Sequence, residues 1–205
     1  MLLLFLCQAF AQDEEDTSTS KWMSEPRMRF MVSGEQWKDP FIGSIYKSSH
    51  MYPMIGGSYR FHQNMSLDLD TGVYRLEGNQ GATEFRSVPL FIGGSLLAAG
   101  SSDKVEPFVG VGATLVSFAE DTPVDIVSGT KLGTEVRAGV RIGTKYIDPF
   151  VYPESQYGPN PSSETSVKQL DIEVVFAQRI HHAFGIGTGF DLGAFRFGVG
   201  LQLRL

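Results

Sequence analysis

Phe195-Arg196-Phe197-Gly198-Val199-Gly200-Leu201-Gln202-Leu203-Arg204-Leu205 closes the sequence, and it alternates without a break. Successive side chains of a β-strand point to opposite faces. Phe195, Phe197, Val199, Leu201, Leu203 and Leu205 therefore share one face, and Arg196, Gly198, Gly200, Gln202 and Arg204 share the other. Residues 132–142 repeat the pattern: Leu132, Thr134, Val136, Ala138, Val140 and Ile142 oppose Gly133, Glu135, Arg137, Gly139 and Arg141. In a soluble sandwich or lipocalin the apolar face packs inward and the charged face meets water. Such an exterior carries lysine, and lysine is nearly absent from these strands. The second face instead mixes Gly and Ser with Arg, Asp and Glu, a composition suited to a crowded interior; arginine's planar fork suits buried ion pairs. The pattern thus predicts an inverted barrel, with lipid outside and polar residues within.

Shorter stretches agree. Met28, Phe30 and Val32 alternate with Arg29, Met31 and Ser33; Met65, Leu67 and Leu69 face away from Ser66, Asp68 and Asp70. Ile55, Gly57, Tyr59 and Phe61 oppose Met54, Gly56, Ser58 and Arg60, and Leu170, Ile172, Val174 and Phe176 oppose Gln169, Asp171, Glu173 and Val175. Residues 88–98 are nearly continuously apolar, and Pro107 to Ala113 puts glycines on the inner face. No stretch of similar quality shows a period of 3.6, so almost no helix is expected.

Composition sets further bounds. The 205 residues suffice for one domain. No apolar run approaches the roughly 18 to 20 residues of a membrane-spanning helix. A net charge of −6 and the lack of any Lys/Arg-rich tract argue against nucleic acid. Residues 1–11 read as an export signal, with Met1 to Cys7 apolar and Ala9-Phe10-Ala11 a cleavage site. The missing basic n-region suggests a start upstream of Met1. Residues 12–26 are acidic and polar and are expected to form a flexible tail, leaving 27–205 as the barrel domain. Removal of the signal would remove Cys7, so neither a disulfide framework nor a cysteine-based metal site is expected.

Outer-membrane barrels have short periplasmic turns and longer extracellular loops. Long connections are expected at 38–50, 78–83, 119–129 and 153–166, and short ones at 62–64, 99–106, 143–145 and 181–183. This gives ten strands, with 146–152 as the seventh and 184–192 as the ninth. Omitting those two leaves an eight-stranded all-β, up-and-down antiparallel barrel. The ten-strand count is preferred.

Pro107-Phe108-Val109-Gly110-Val111-Gly112, the 132–142 segment and the terminal 195–205 segment resemble the small bacterial outer-membrane β-barrel superfamily, with its OmpA-, OmpX- and OmpW-type members. The likeness covers roughly residues 27–205 and is a pattern of architecture. It implies residence in the outer membrane of a Gram-negative cell envelope, contact with lipid and lipopolysaccharide, and recognition of Phe195 to Leu205 by the barrel-assembly machinery. Chains of this kind usually end in Phe; this one ends in Leu205.

Candidate chemistry lies on the inward face. Arg29, Arg60, Arg137, Arg141, Arg196 and Arg204 face Glu35, Asp68, Asp70, Glu135, Asp171 and Glu173, six charges of each sign. Buried charges are costly unless paired, so a balanced interior reads as an ion-paired plug. A selective pore tends to carry one sign in excess. An OmpW-like path for small apolar solutes is the alternative. A lipid A-modifying enzyme is a second alternative, and it would need a His near a Ser and a carboxylate. His181-His182-Ala183 does not match the His-x-Ser-Asn stretch of such a deacylase and is expected in a short polar turn. No catalytic residue, cofactor or metal is expected.

Overall fold

The computed structural model describes residues 22–78, 81–98, 105–147, 167–186 and 191–204, with backbone alone at 22–25, 144–147, 167–169 and 181–186. The strands are β1 (Trp22–Trp37), β2 (Ser49–His62), β3 (Met65–Gly72), β4 (Tyr74–Gly78), β5 (Thr83–Leu97), β6 (Val105–Asp121), β7 (Ile126–Ile147), β8 (Val167–Ile186) and β9 (Ala194–Arg204). A short helix, α1 (Pro40–Tyr46), lies between β1 and β2.

All pairings are antiparallel, in the order β3-β2-β1-β9-β8-β7-β6-β5-β4. The ring closes because β5 pairs with β3 through Leu90–Leu96 and with β4 through Thr83–Ser87. β3 and β4 thus follow one another along a single edge of β5, and the nine strands make an eight-stave closed barrel.

The expected ten strands reduce to eight because three strands run further than their apolar alternation. β7 continues through Gly143-Thr144-Lys145, expected as a turn, and stays paired with β8 to Ile147↔Val167. β8 likewise continues through His181-His182-Ala183 to Ile186, so that site is strand and not turn. Of the expected ninth strand, 184–192, residues 184–186 end β8 and 191–192 are irregular, while 187–190 lie outside the described residues. Most of the expected seventh strand, 148–152, lies outside the described residues, as do 1–21 and 153–166. At the other end, β6 and β7 reach so far that the expected long loop 119–129 shrinks to 122–125. Strand beyond a bilayer faces water on its outer side and needs no apolar residues there, so hydrophobic alternation alone misses it. β1 begins at Trp22, earlier than the change of pattern at Pro26 indicates.

The first five connections keep their expected ends, and the reduced count moves only the last two. Residues 63–64, 98–104 and 148–166 leave from the end that carries Arg27 of β1 and Arg204 of β9; 38–48, 79–82, 122–125 and 187–193 leave from the other. The longest connection therefore sits with the chain ends, opposite to its expected side.

The apolar faces point outward: Phe30, Val32, Leu67, Leu69, Val111, Val136, Phe176, Phe197 and Leu201 are all exposed. On β9 the outward apolar run covers Phe195 to Leu203, close to the roughly 9–11 tilted residues that cross a bilayer. Buried Arg, Asp and Glu fill the inside. This is the polarity of a transmembrane barrel.

Candidate functional site: the barrel interior

The interior has two storeys. Nearer the chain ends, charged side chains from five strands meet. Arg29 donates from Nη1 to both Asp70 oxygens at 2.8 Å, from Nη2 to Asp68 Oδ1 at 3.3 Å and from Nε to Glu173 Oε2 at 3.0 Å. Across the lumen, Arg137 reaches Asp68 Oδ2 at 2.6 Å and Asp70 Oδ2 at 2.8 Å. Arg141 reaches Glu173 and Glu106, each at 3.4 Å. Ser95 donates to Asp68 at 2.6 Å.

Local sequence explains the convergence. A period of two places Asp68 and Asp70 in one inward row of β3. Asp70 must reach across β2 to meet Arg29, and the residue between them in register is Gly56. A Cβ there would lie 2.0 Å from Asp70 Oδ1. Gly110 has the same relation to Arg137 and Ser95: a Cβ would come within 3.0 Å of Arg137 Nε and 2.6 Å of Ser95 Oγ. Inward glycines are thus the gaps through which an arginine meets its partner two strands away, a carboxylate at Gly56 and a hydroxyl at Gly110.

Around this cluster the remaining charges pair locally. Arg27 contacts Asp171 at 3.2 Å and Gln202 Oε1 at 3.4 Å, Arg60 contacts Glu106 at 2.7 Å, and Arg204 approaches Asp171 at 3.8 Å. Higher up, Arg196 pairs with Glu135 at 2.5 Å, and Arg179 pairs with Glu35. Glu35 also accepts from Tyr52 Oη at 2.7 Å. Of the residues singled out in the sequence, Arg29, Asp68, Asp70, Arg137, Arg141 and Glu173 form one cluster. Arg60 and Asp171 line its rim, and Glu135 and Arg196 stand apart as a pair. Arg27, Glu106, Glu120, Lys131 and Arg179 are inward charges that the sequence reading did not single out. Arg27 and Arg179 continue the same alternate rows, two residues before Arg29 and six after Glu173, so extending the rows finds them.

The other storey is aromatic. Tyr74 packs 4.4 Å from His50 and 4.8 Å from Tyr52, Trp37 stacks on His50 at 5.2 Å, and Phe85 stacks on Phe118 at 5.9 Å. α1 closes the mouth above them with Ile42 and Tyr46 buried. Its start is fixed by Pro40 and by Asp39, whose side chain accepts from Phe41 N at 2.8 Å. The other Asp39 oxygen accepts from Asp191 N at 3.2 Å, tying α1 to the β8–β9 connection. Tyr46 donates to Glu120 at 2.5 Å; burial and this carboxylate push its phenol up to about 12, so it stays a donor.

Among the described residues the wall has one seam. β2 pairs with β3 only from Met54 onward, and β4 pairs with β5 alone, so Ser49–Pro53 and Tyr74–Gly78 face each other without strand pairing. His50, Tyr52 and Tyr74 fill it. Elsewhere a groove of about 700 Å³ crosses β1, β2 and β6–β9 beside Val136, Phe176, Phe195 and Phe197. The inward residues behind it, Glu35, Arg137, Ala177 and Arg196, are at most 7% exposed, so its accessible surface comes from outward apolar side chains. Among the described residues, no group of three or more His, Cys, Asp or Glu could hold a metal ion.

No known protein family and no curated protein sequence matches this chain. Solved structures do. Neisserial surface protein A (NspA) superposes with a TM-score of 0.56 at 13% identity, covering 88% of this chain and 97% of that one. The attachment invasion locus protein Ail of Yersinia pestis, in complex with the heparin analogue sucrose octasulfate, gives 0.54 at 10% identity over 89% and 99%. The outer membrane protein OprG from Pseudomonas aeruginosa gives 0.52 at 8% identity over 91% and 98%. A closed eight-stave ring, an apolar exterior and these likenesses agree: the chain has the fold of the small outer-membrane β-barrels of OmpA, OmpX and OmpW type.

Proposed function

We propose that this chain is a non-enzymatic outer-membrane barrel with a structural or interaction role, its interior plugged by ion pairs. The observation that carries this is the closed lumen: Arg29, Arg137, Arg141, Asp68 and Glu173 are each at most 1% exposed and each faces an opposite charge. An eight-strand barrel is only wide enough inside for its side chains. Interaction would then fall to the elements held above the bilayer: α1, the β4–β5 and β6–β7 turns and the β8–β9 connection. Exposed Glu77, Asp121, Asp125 and Asp191 stand on that rim beside exposed Lys47, Arg75 and Arg86, so it offers both signs of charge to a partner. The purified protein in planar bilayers should show little or no conductance. A wide, ion-selective pore in the unmutated protein would refute the plug.

The seam between β2 and β4 favours a second reading, a narrow path for small apolar solutes that leaves sideways beneath α1. Its aromatic lining is apolar enough, and three buried polar groups there, Trp37 Nε1, Tyr74 Oη and the His50 nitrogens, have no hydrogen-bond partner. Faster entry of an alkane into proteoliposomes than into protein-free vesicles would support this reading over the first.

A further inference from the structure

We propose that Arg75 and Arg86 form a clamp for the phosphate of a lipid headgroup at the outer edge of the apolar belt. β4 and β5 pair Arg75 directly with Arg86. Both side chains point outward, with 61% and 63% of their surface exposed. The outward residues next along these strands toward the other end of the barrel are Val73 and Val88, both exposed and apolar. Below them Leu69 and Ile92 continue the lipid-facing surface. Two residues along a strand tilted by about 40° amount to about 5 Å of height. The arginines therefore stand one step above the hydrocarbon, at headgroup level.

Like charges directly opposite each other across a strand pair repel. A single carboxylate, Glu84, lies between the two guanidiniums and contacts both. Within the trio the two cations outnumber the one carboxylate they contact, and each planar fork keeps donors free. Arginine binds phosphate through two parallel hydrogen bonds, which an exposed ion pair to Glu84 does not rival. The next outward rung, away from the membrane, is acidic: Glu77 is paired in register with Glu84, and Glu84 with Asp121. A free phosphate arriving from solvent meets that repulsion first. A phosphate fixed in the bilayer surface approaches from below, where Val73 and Val88 accompany its acyl chains. The geometry thus favours a membrane lipid over a dissolved anion.

The inference rests on the membrane reading of the apolar belt, yet the two can fail separately. The barrel is reconstituted into phosphatidylcholine nanodiscs with and without bisphosphorylated lipid A, and bound lipid A is counted by native mass spectrometry. The wild type should retain lipid A, and R75Q/R86Q should retain it about tenfold more weakly, as expected for losing charge-assisted hydrogen bonds. R75K, which preserves charge but not the fork, should fall between. E77Q/D121N should bind at least as well as wild type. Equal retention by R75Q/R86Q and wild type, with both barrels inserted and heat-modifiable, would overturn the clamp while leaving the barrel intact. Equal protection against thermal unfolding by millimolar inorganic phosphate in detergent would overturn the lipid assignment. Failure to enter nanodiscs at all would instead sink the membrane reading.

Discussion

Arg137 lies over the Phe91 ring, 4.1 Å from its centroid, while its guanidinium spans Asp68 and Asp70. Removing one partner of a buried pair leaves the other charge without compensation, which costs about 3–5 kcal/mol. Arg137→Ala should therefore lower the unfolding free energy by that order, seen as a lower urea midpoint in the gel mobility of the folded form. Asp68 and Asp70 keep Arg29 in the variant, so the lower part of the range is expected. Gly139 stands on the same inward row, close against its neighbours. A Cβ would lie 2.4 Å from Val174 O and 2.6 Å from the Phe108 ring, which itself lies under Arg141. Gly139→Ser should destabilise by about 1–3 kcal/mol through overpacking. A neutral result in the same titration would mean that both Phe108 and the Val174 carbonyl give way freely.

At the scale of elements, β7 and β9 show the two sides of the wall most plainly. Val136 and Leu201 face lipid, exposed by 54% and 46%, while their neighbours Arg137 and Gln202 are fully buried. Val136→Arg or Leu201→Arg should cost about 2–4 kcal/mol near the bilayer midplane, measured by unfolding from liposomes. Full tolerance at both positions would reverse the assignment of faces. α1 is held differently, by a few polar ties and two buried side chains. Tyr46→Phe leaves the buried Glu120 carboxylate without its hydroxyl donor, a loss of about 1–3 kcal/mol. Because that loss falls on the strap and not on the barrel, protease should cut the 38–48 segment faster while the strands keep their mobility on gels. If cleavage is no faster than in wild type, the Tyr46–Glu120 bond does not hold the mouth closed.

The whole molecule is a sheet without a free ring edge except at the seam, and its hydrogen bonds close on themselves. A closed barrel satisfies backbone groups that lipid cannot. The intact protein should fractionate with outer membranes and migrate faster on gels before heating than after. Recovery as a soluble monomer without detergent would contradict the outward apolar belt. Stability also belongs to this scale: β1 pairs with β9, and Arg29 on β1 pairs with Asp70 on β3 and Glu173 on β8. Both ends of the chain must be in place before the interior charges are neutral.

Periodicity by itself determined the class of this protein. Alternation in 132–142 and 195–205 assigns lipid and lumen faces because the side-chain period of a strand is two, whatever the strand pairs with. The inward rows that carry Arg29, Asp68, Asp70, Arg137, Arg141 and Glu173 follow from the same property. Tertiary structure decided the rest. The count of eight depends on β7 and β8 continuing past their apolar runs through 143–147 and 181–186, held by each other's backbone and not by hydrophobicity. α1, with 7 residues, is too short to show a period and forms only where Asp39 caps it and the mouth receives Ile42 and Tyr46. Partner choice among the charges was equally invisible in one dimension. Arg29 meets Asp70 because barrel closure sets β1, β2 and β3 in register and Gly56 leaves the space between them, and which strands become neighbours is a property of the closed ring.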